Sequence, residues 1–381
     1  MNRPLIVLFV LLFAKAEAQT SASAVSDSLY AIGNYSEAIE NLNKIGSKDE
    51  LVYLKLAQNY RAKGNYKEAL EHYKKVLTET PNRVITTVNY GNLLFKTGQL
   101  NAADSLFSDL VKKYPKNANF QYQLGAVKLA RKDSTYLKSF YKAIYLDETH
   151  QKALREIAEY QLRRGYFPAA KKYAKQGLKT NPTNVSLLSI LAQAHFHHKN
   201  YKKATVLFTK LVELGQGNAF VHSSLGMAYY RLEDYKNAKI HFQKALELEN
   251  GNSTTHFMLG LTFKNLRNYE EAKKHLETSI VIKNPSLGME FFNLGLVYKA
   301  QEKHKKALHY YEKALEENPD HERALYERAI AADNYFADLK TRMNYYRAYL
   351  NQYESSGNER LILLAKNRIQ DIREELHQKE K

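Results

Sequence analysis

Cysteine is absent from this chain, which removes disulfide frameworks, thiolate nucleophiles and Cys-based zinc or iron–sulfur centres from consideration. Tryptophan is absent too, and only 7 prolines and 16 glycines occur in 381 residues, so the residues that interrupt helices are scarce. No run approaches the ~20 apolar residues that a membrane-spanning helix needs. Nucleotide-binding, nucleophile-elbow, metalloprotease and EF-hand motifs are also missing, and Gly215-Gln216-Gly217, half of a glycine-rich signature with no strand before it, reads as a turn. The histidines form two sets: His195, His197 and His198 share a helix end, while His222 and His256 hold equivalent places in adjacent repeats and are expected to stack on one another. Core packing and solvated helix ends account for both. The expectation is no catalytic residue, no metal site and no cofactor.

Against these absences stand 29 tyrosines, 16 phenylalanines and a formal net charge of +17. The excess charge favours acidic partners, whether proteins, lipid headgroups, glycolipid or polymer. Zinc-finger spacing and an RNP-type aromatic strand are lacking, so nucleic acid is not the expected partner. At the N-terminus Arg3 precedes an apolar run from Leu5 to Ala14, followed by Ala16-Glu17-Ala18 as a small-x-small cleavage site. Residues 1–18 therefore read as a signal peptide, and the mature protein is expected to be soluble in a periplasm or outside the cell.

Internal repetition decides the fold class. Small residues recur at Ala57, Gly91, Gly125, Ala158, Ala192, Gly226, Gly260 and Gly295, near a 34-residue period, and a second ladder runs Ala38, Ala69, Ala103, Ala170, Ala204, Ala238, Ala272 and Ala307. Two interleaved ladders at one period mean two helices per repeat. Glycine inside a helix costs ~1 kcal/mol relative to alanine, so its recurrence at one phase requires close approach of a neighbouring helix. Large apolar residues surround the ladders at helical spacing, as in Leu225, Tyr229, Tyr235 and Phe242. Turns such as Lys63-Gly64-Asn65, and Pro81, Pro115, Pro182 and Pro319, separate the helices.

The pattern Leu225-Gly226-x-x-Tyr229 with Tyr235-x-x-Ala238, and Leu294-Gly295-x-x-Tyr298 with Ala307, Tyr311, Ala314 and Pro319, resembles the tetratricopeptide repeat. The resemblance covers about nine units from near Ser26 to Pro319. It implies an all-α, right-handed superhelical solenoid of helix-turn-helix repeats, with the first helix of each pair lining a concave groove. The divisions expected are a signal peptide at 1–18, an atypical N-terminal repeat at 19–49, the solenoid at 50–319, a degenerate repeat at 320–352 and a C-terminal capping helix at 353–381. In the capping helix Leu361, Ala365, Ile369, Ile372 and Leu376 share one face. In the unit around Gly125, Leu137 stands where a small residue is expected, which should push the two helices apart.

Function follows from the resemblance and from one stripe. The set by which some family members grip a chaperone's C-terminal carboxylate falls here on Val88, Asn92, Gln123, Lys152 and Glu156, and only Asn92 and Lys152 match. That clamp is absent. The groove stripe of the last three full repeats holds Phe220, Met227 and Tyr230, then Phe257, Leu261 and Lys264, then Phe292, Leu296 and Lys299, mostly apolar with a basic rim. Exposed apolar patches mark binding sites. The reading is a non-enzymatic protein-interaction scaffold of the cell envelope whose partner segment carries apolar anchors and acidic flanks. The alternative is a basic surface module for anionic glycolipid, membrane or polymer, resting on second-helix lysines such as Lys171, Lys172, Lys202, Lys203, Lys236, Lys239, Lys273, Lys274, Lys305 and Lys306. Mass spectrometry of the protein from its own cells should give a chain beginning at Gln19. An intact Met1, or retention in the inner membrane after an alkaline wash, contradicts the export reading.

Overall fold

A computed structural model of the protein describes residues 23–283 and 287–379. The signal peptide expected at 1–18 lies outside the described residues. Among the described residues the chain forms 21 helices and no strand, and no helix is long and apolar enough to cross a membrane. Two compact units divide it between Tyr160 and Gln161. The helices run α1 (23–31), α2 (Tyr35–Asn43), α3 (Glu50–Lys63), α4 (Tyr66–Glu79), α5 (Val84–Lys96), α6 (Leu100–Lys113), α7 (Ala118–Ala130), α8 (Tyr136–Leu146) and α9 (Gln151–Arg163). They continue with α10 (Phe167–Thr180), α11 (Val185–His197), α12 (Tyr201–Glu213), α13 (Ala219–Arg231), α14 (Tyr235–Leu248), α15 (Ser253–Asn265) and α16 (Tyr269–Ile282). The last five are α17 (Gly288–Ala300), α18 (His304–Glu317), α19 (Glu322–Tyr335), α20 (Leu339–Tyr353) and α21 (Glu359–Lys379).

Asparagine starts many of these helices. The Leu187, Val221 and Thr255 amides donate to the side chains of Asn184, Asn218 and Asn252 at 3.1, 3.0 and 2.9 Å. Each such cap satisfies an amide that the helix itself cannot pair and contributes ~1 kcal/mol. The turn inside each of the nine pairs from α1 to α18 contains one residue with positive φ. Gly33, Gly64, Gly98 and Gly165 hold it in four repeats, and Lys132, Lys199, Glu233, Arg267 and Glu302 hold it in five others at φ 58–62°. A side chain there crowds the following carbonyl, which glycine avoids.

The interior of a pair is a small residue set against a buried ring. A Cβ on Gly226 would stand 2.6 Å from Phe242 Cδ1, and one on Gly295 would collide with Tyr311. Tyr73, Phe107, Phe140, Phe208, Phe242 and Tyr311 are buried at the equivalent place in their second helices, while Leu42, Ala174 and Leu276 hold it in the other three. Each such ring, taken out of water, stabilises the fold by roughly 1.5–3 kcal/mol, more than the cost of a helical glycine.

The pair around Gly125 corrects an expectation. A Cβ on Gly125 would lie 2.7 Å from Phe140, as close as in the other glycine repeats, so its helices are not pushed apart. One residue fewer separates Gly125 from Phe140 than separates Gly226 from Phe242, and α8 begins only at Tyr136, which shifts the alignment so that Leu137 does not occupy the small-residue place.

At the C-terminal end, α19 and α20 are as long as the repeat helices although their motif has faded. Leu361, Ala365, Ile369 and Ile372 of α21 are buried and Leu376 packs against them, as the face read from the sequence requires. Arg368 also ties α21 to α19, its Nε 2.6 Å from Asp333 Oδ2, with Glu375 on its other side at 2.8 Å.

The positive-φ turns generate a stability prediction. Lys132→Gly and Arg267→Gly should each raise unfolding free energy by about 0.5–1 kcal/mol, the relief of a left-handed side chain less the extra freedom of glycine when unfolded. Urea midpoints measure it, and a fall for either variant contradicts the assigned turn geometry.

Candidate interaction face of the leading helices

In a leading helix such as α13, Gly226 meets Phe242 of the helix's own partner, Leu225 packs against the preceding pair, and both are buried. The stripe read from the sequence lies on another side of the same helix. Its members fall into three environments. Phe220 is 51% exposed in the first turn of α13, and Met289, at the matching place in α17, is also 51% exposed. Met227, Tyr230, Phe257, Leu261 and Leu296 are half-buried and pack on the core of the second unit.

Phe292 departs from the expectation. It is only 9% exposed, with the His321 ring at 4.7 Å and Tyr311 at 6.0 Å. His321 is the N-cap of α19, so the start of the next leading helix closes over Phe292 and makes it core. The same position one repeat earlier, Phe257, stays half-buried.

The expected basic rim is also modified. Lys264 Nζ donates to Asn293 Oδ1 at 2.7 Å, and burial holds its pKa below the ordinary lysine value. Lys299 Nζ lies 2.6 Å from Glu327, a carboxylate only 1% exposed that also receives Arg323 at 2.6 Å. Tyr230 accepts from Asn265 Nδ2 at 3.1 Å. The Lys264 and Lys299 contacts cross from one leading helix to the next and repeat by rule: a cation four residues after the small residue reaches an acceptor two residues before the next one. Arg61 to Asn89, at 3.5 Å, follows the same rule in the first unit. Asn293 and Glu327 were missed in the sequence, although their 34-residue separation and their offset from the small-residue ladder were available to find them.

Histidines form a second recurring arrangement. His222 does not stack on His256; each meets a histidine of its own second helix. His222 Nδ1 is 3.1 Å from His241 Nδ1, and His256 Nδ1 is 3.0 Å from His275 Nδ1. Tyr229 lies parallel to His241, and Phe263 to His275, at 8°. In the second pair His256 Nε2 is also 3.0 Å from the Asn250 carbonyl oxygen and donates to it, and His275 Nε2 lies 3.9 Å from Glu271. Among the described residues no group of three or more His, Cys, Asp or Glu is placed to hold a metal. The arrangement offers hydrogen bonds and ring faces, which suit recognition and packing.

Burial, with the neighbouring histidine and lysine behind it, lowers the pKa of His241 to about 4, with His222 and Lys244 close by. His275 is likewise lowered to about 4 by burial, then by His256, with Glu271 acting the other way and Lys274 adding to the fall. Between pH 4 and the ordinary histidine value of 6.5 the unfolded chain thus binds protons that the native chain refuses. Stability is full above the upper limit and declines as pH falls through this window. Urea midpoints should drop from pH 7 to pH 4, and His275→Tyr, which copies Tyr310 one repeat on, should flatten that slope. An unchanged slope in this variant contradicts the assignment.

Five tetratricopeptide-repeat family models match the chain, at residues 60–126, 155–219, 219–252, 253–284 and 290–321, together more than half of its length. No curated protein matches it. Among solved structures, YrrB, described as a TPR protein with an unusual peptide-binding site, is 24% identical over 50% of this chain and 97% of its own, with a TM-score of 0.46. A tetratricopeptide repeat protein from Parabacteroides merdae is 14% identical over 65% of this chain and 98% of its own, with a TM-score of 0.45. Yeast Tom70 is 14% identical over 95% of this chain and 97% of its own, with a TM-score of 0.40.

Proposed function

Because this chain belongs to the tetratricopeptide-repeat family, whose members mediate protein–protein interactions, we propose that it is a non-enzymatic scaffold that holds a partner segment on its leading helices. The observation that carries the reading is the exposure of Phe220 and Met289 at one repeat position, each open to solvent where the fold gains nothing from an apolar side chain. Half-buried Phe257, Leu261 and Leu296 extend that surface, while Phe292 supports it from below. An extended or helical segment with apolar anchors fits such a stripe. The apolar run at Leu5–Ala14 and the small residues Ala16 and Ala18 support work in the cell envelope or outside the cell.

Affinity capture on immobilised mature protein, from an extract of its own cells, tests this. Phe220→Ser combined with Met289→Ser should weaken retention of the captured protein more than tenfold, ~1.4 kcal/mol or more, with little change in melting temperature. Phe292→Ser should instead destabilise the fold by ~3 kcal/mol, as loss of a buried ring does. Full retention by the double variant removes the stripe from the binding surface.

A further inference from the structure

From Tyr160 to Val212 the chain carries ten lysine and arginine residues and no aspartate or glutamate. This span includes α10, α11 and nearly all of α12. Elsewhere in the second unit some lysines meet carboxylates: Lys273 lies 3.3 Å from Glu270, and Lys299 2.6 Å from Glu327. Among the described residues no carboxylate pairs with Lys171, Lys172, Lys175, Lys199, Lys202 or Lys203, and all but the half-buried Lys171 are exposed.

These cations gather around one place. The Lys171 ammonium is 2.9 Å from His198 Nδ1, and Lys171, Lys175 and Lys203 all bear on His195. Phe167 lies against His197 with ring centroids 5.7 Å apart. Lys202 and Lys203 stand in the first turn of α12, where the helix dipole is positive and a carboxylate is favoured. The matching turn of α16 does hold acids, Glu270 and Glu271. Folding therefore gains nothing from cations at this end of α12.

We propose that the α10–α12 face is a docking site for an acidic segment of the partner protein. The positive face is local. Along the same row of second helices, Glu233 and Asp234 precede α14 and Glu270 and Glu271 open α16, acids that an anionic bilayer spread across the row would repel. A short run of carboxylates matches the width of three helices, with lysines and imidazoles as donors and the Phe167 and His197 rings beside them. The proposal rests on the protein-binding reading and adds a second, charged contact to the apolar stripe.

The test uses the mature full-length protein and a fluorescein-labelled peptide of ten glutamates, with a glutamine counterpart as reference. The glutamate peptide should bind and the glutamine peptide should not. Charge reversal of Lys172, Lys175, Lys202 and Lys203 to Glu should weaken binding at least tenfold. Reversal of four exposed lysines in the first unit, Lys74, Lys112, Lys113 and Lys116, makes the same net-charge change and should weaken it less than threefold. Stability is read in parallel, because Glu at positions 202 and 203 suits the α12 N-terminus and leaves the fold at least as stable. Equal losses in both variants, or no binding by the wild type, overturn the proposal. Binding to phosphatidylcholine vesicles containing phosphatidylglycerol that is lost with the α10–α12 reversals, without peptide binding, overturns it in favour of a membrane face. The reversals leave Phe220 and Met289 untouched, so partner capture through the stripe survives failure of this proposal.

Discussion

The contact of a bare or nearly bare Cα in one helix with a buried side chain in the next, a ring in six of the nine repeats, is the constraint on which the stack depends. Gly226 on Phe242 and Gly295 on Tyr311 are so close that a methyl group has no room unless the ring moves. That distance fixes which face of each leading helix turns inward. By default it also fixes which residues are left for solvent or for the neighbouring repeat. The buried residues fall into several clusters without a single centre, so stability is set locally, pair by pair. The short α8 shows how firmly the contact is held: one residue is missing between Gly125 and Phe140 and the helix lacks its opening turn, yet Phe140 still lies against Gly125.

The residues left over by that constraint do two jobs that compete for the same side of the leading helices. Adjacent leading helices must satisfy one another, which they do through Lys264 and Asn293, Lys299 and Glu327, and Ser223 and Thr255. Whatever this ladder does not occupy is open to a partner. Phe220 and Met289 lie at the N-terminal end of the stripe, before the polar rungs begin, and Lys264 and Lys299 lie at the other end. A cation that carries half of an interhelical ion pair is a poor recognition element, because withdrawing it from Glu327 leaves a buried carboxylate with one partner fewer. The stripe is thus apolar and accessible at one end, polar and engaged at the other.

The sequence made the architecture legible because the ladder residues answer to a single geometric demand that nothing else in a helix makes. The site was less legible. Spacing placed Phe257 and Phe292 on one stripe, but spacing is blind to what the next repeat lays over it, and His321 covers only the second. The histidine pairs failed for a related reason. His222 and His256 were visible as equivalents, whereas their true partners, His241 and His275, sit 19 residues further on in a helix that runs back antiparallel. Counting back from the buried Phe140, and not along the alanine ladder, locates the residue missing between Gly125 and that ring.

Charge shows the limit of composition most clearly. A net value of +17 describes no surface in particular. Around Glu327 two cations converge on one buried carboxylate, and near Asp333 both Arg342 and Arg368 do the same, so much positive charge is neutralised where the chain needs cohesion between helices. The imbalance is concentrated instead where acids are missing from the sequence, and there Lys202 and Lys203 stand at a helix N-terminus that disfavours them. In a repeat protein this unevenness persists, since a pair of helices cannot redistribute its field to repeats beyond a Debye length of about 8 Å at physiological salt. Local charge, read repeat by repeat, is therefore the quantity that bears on recognition.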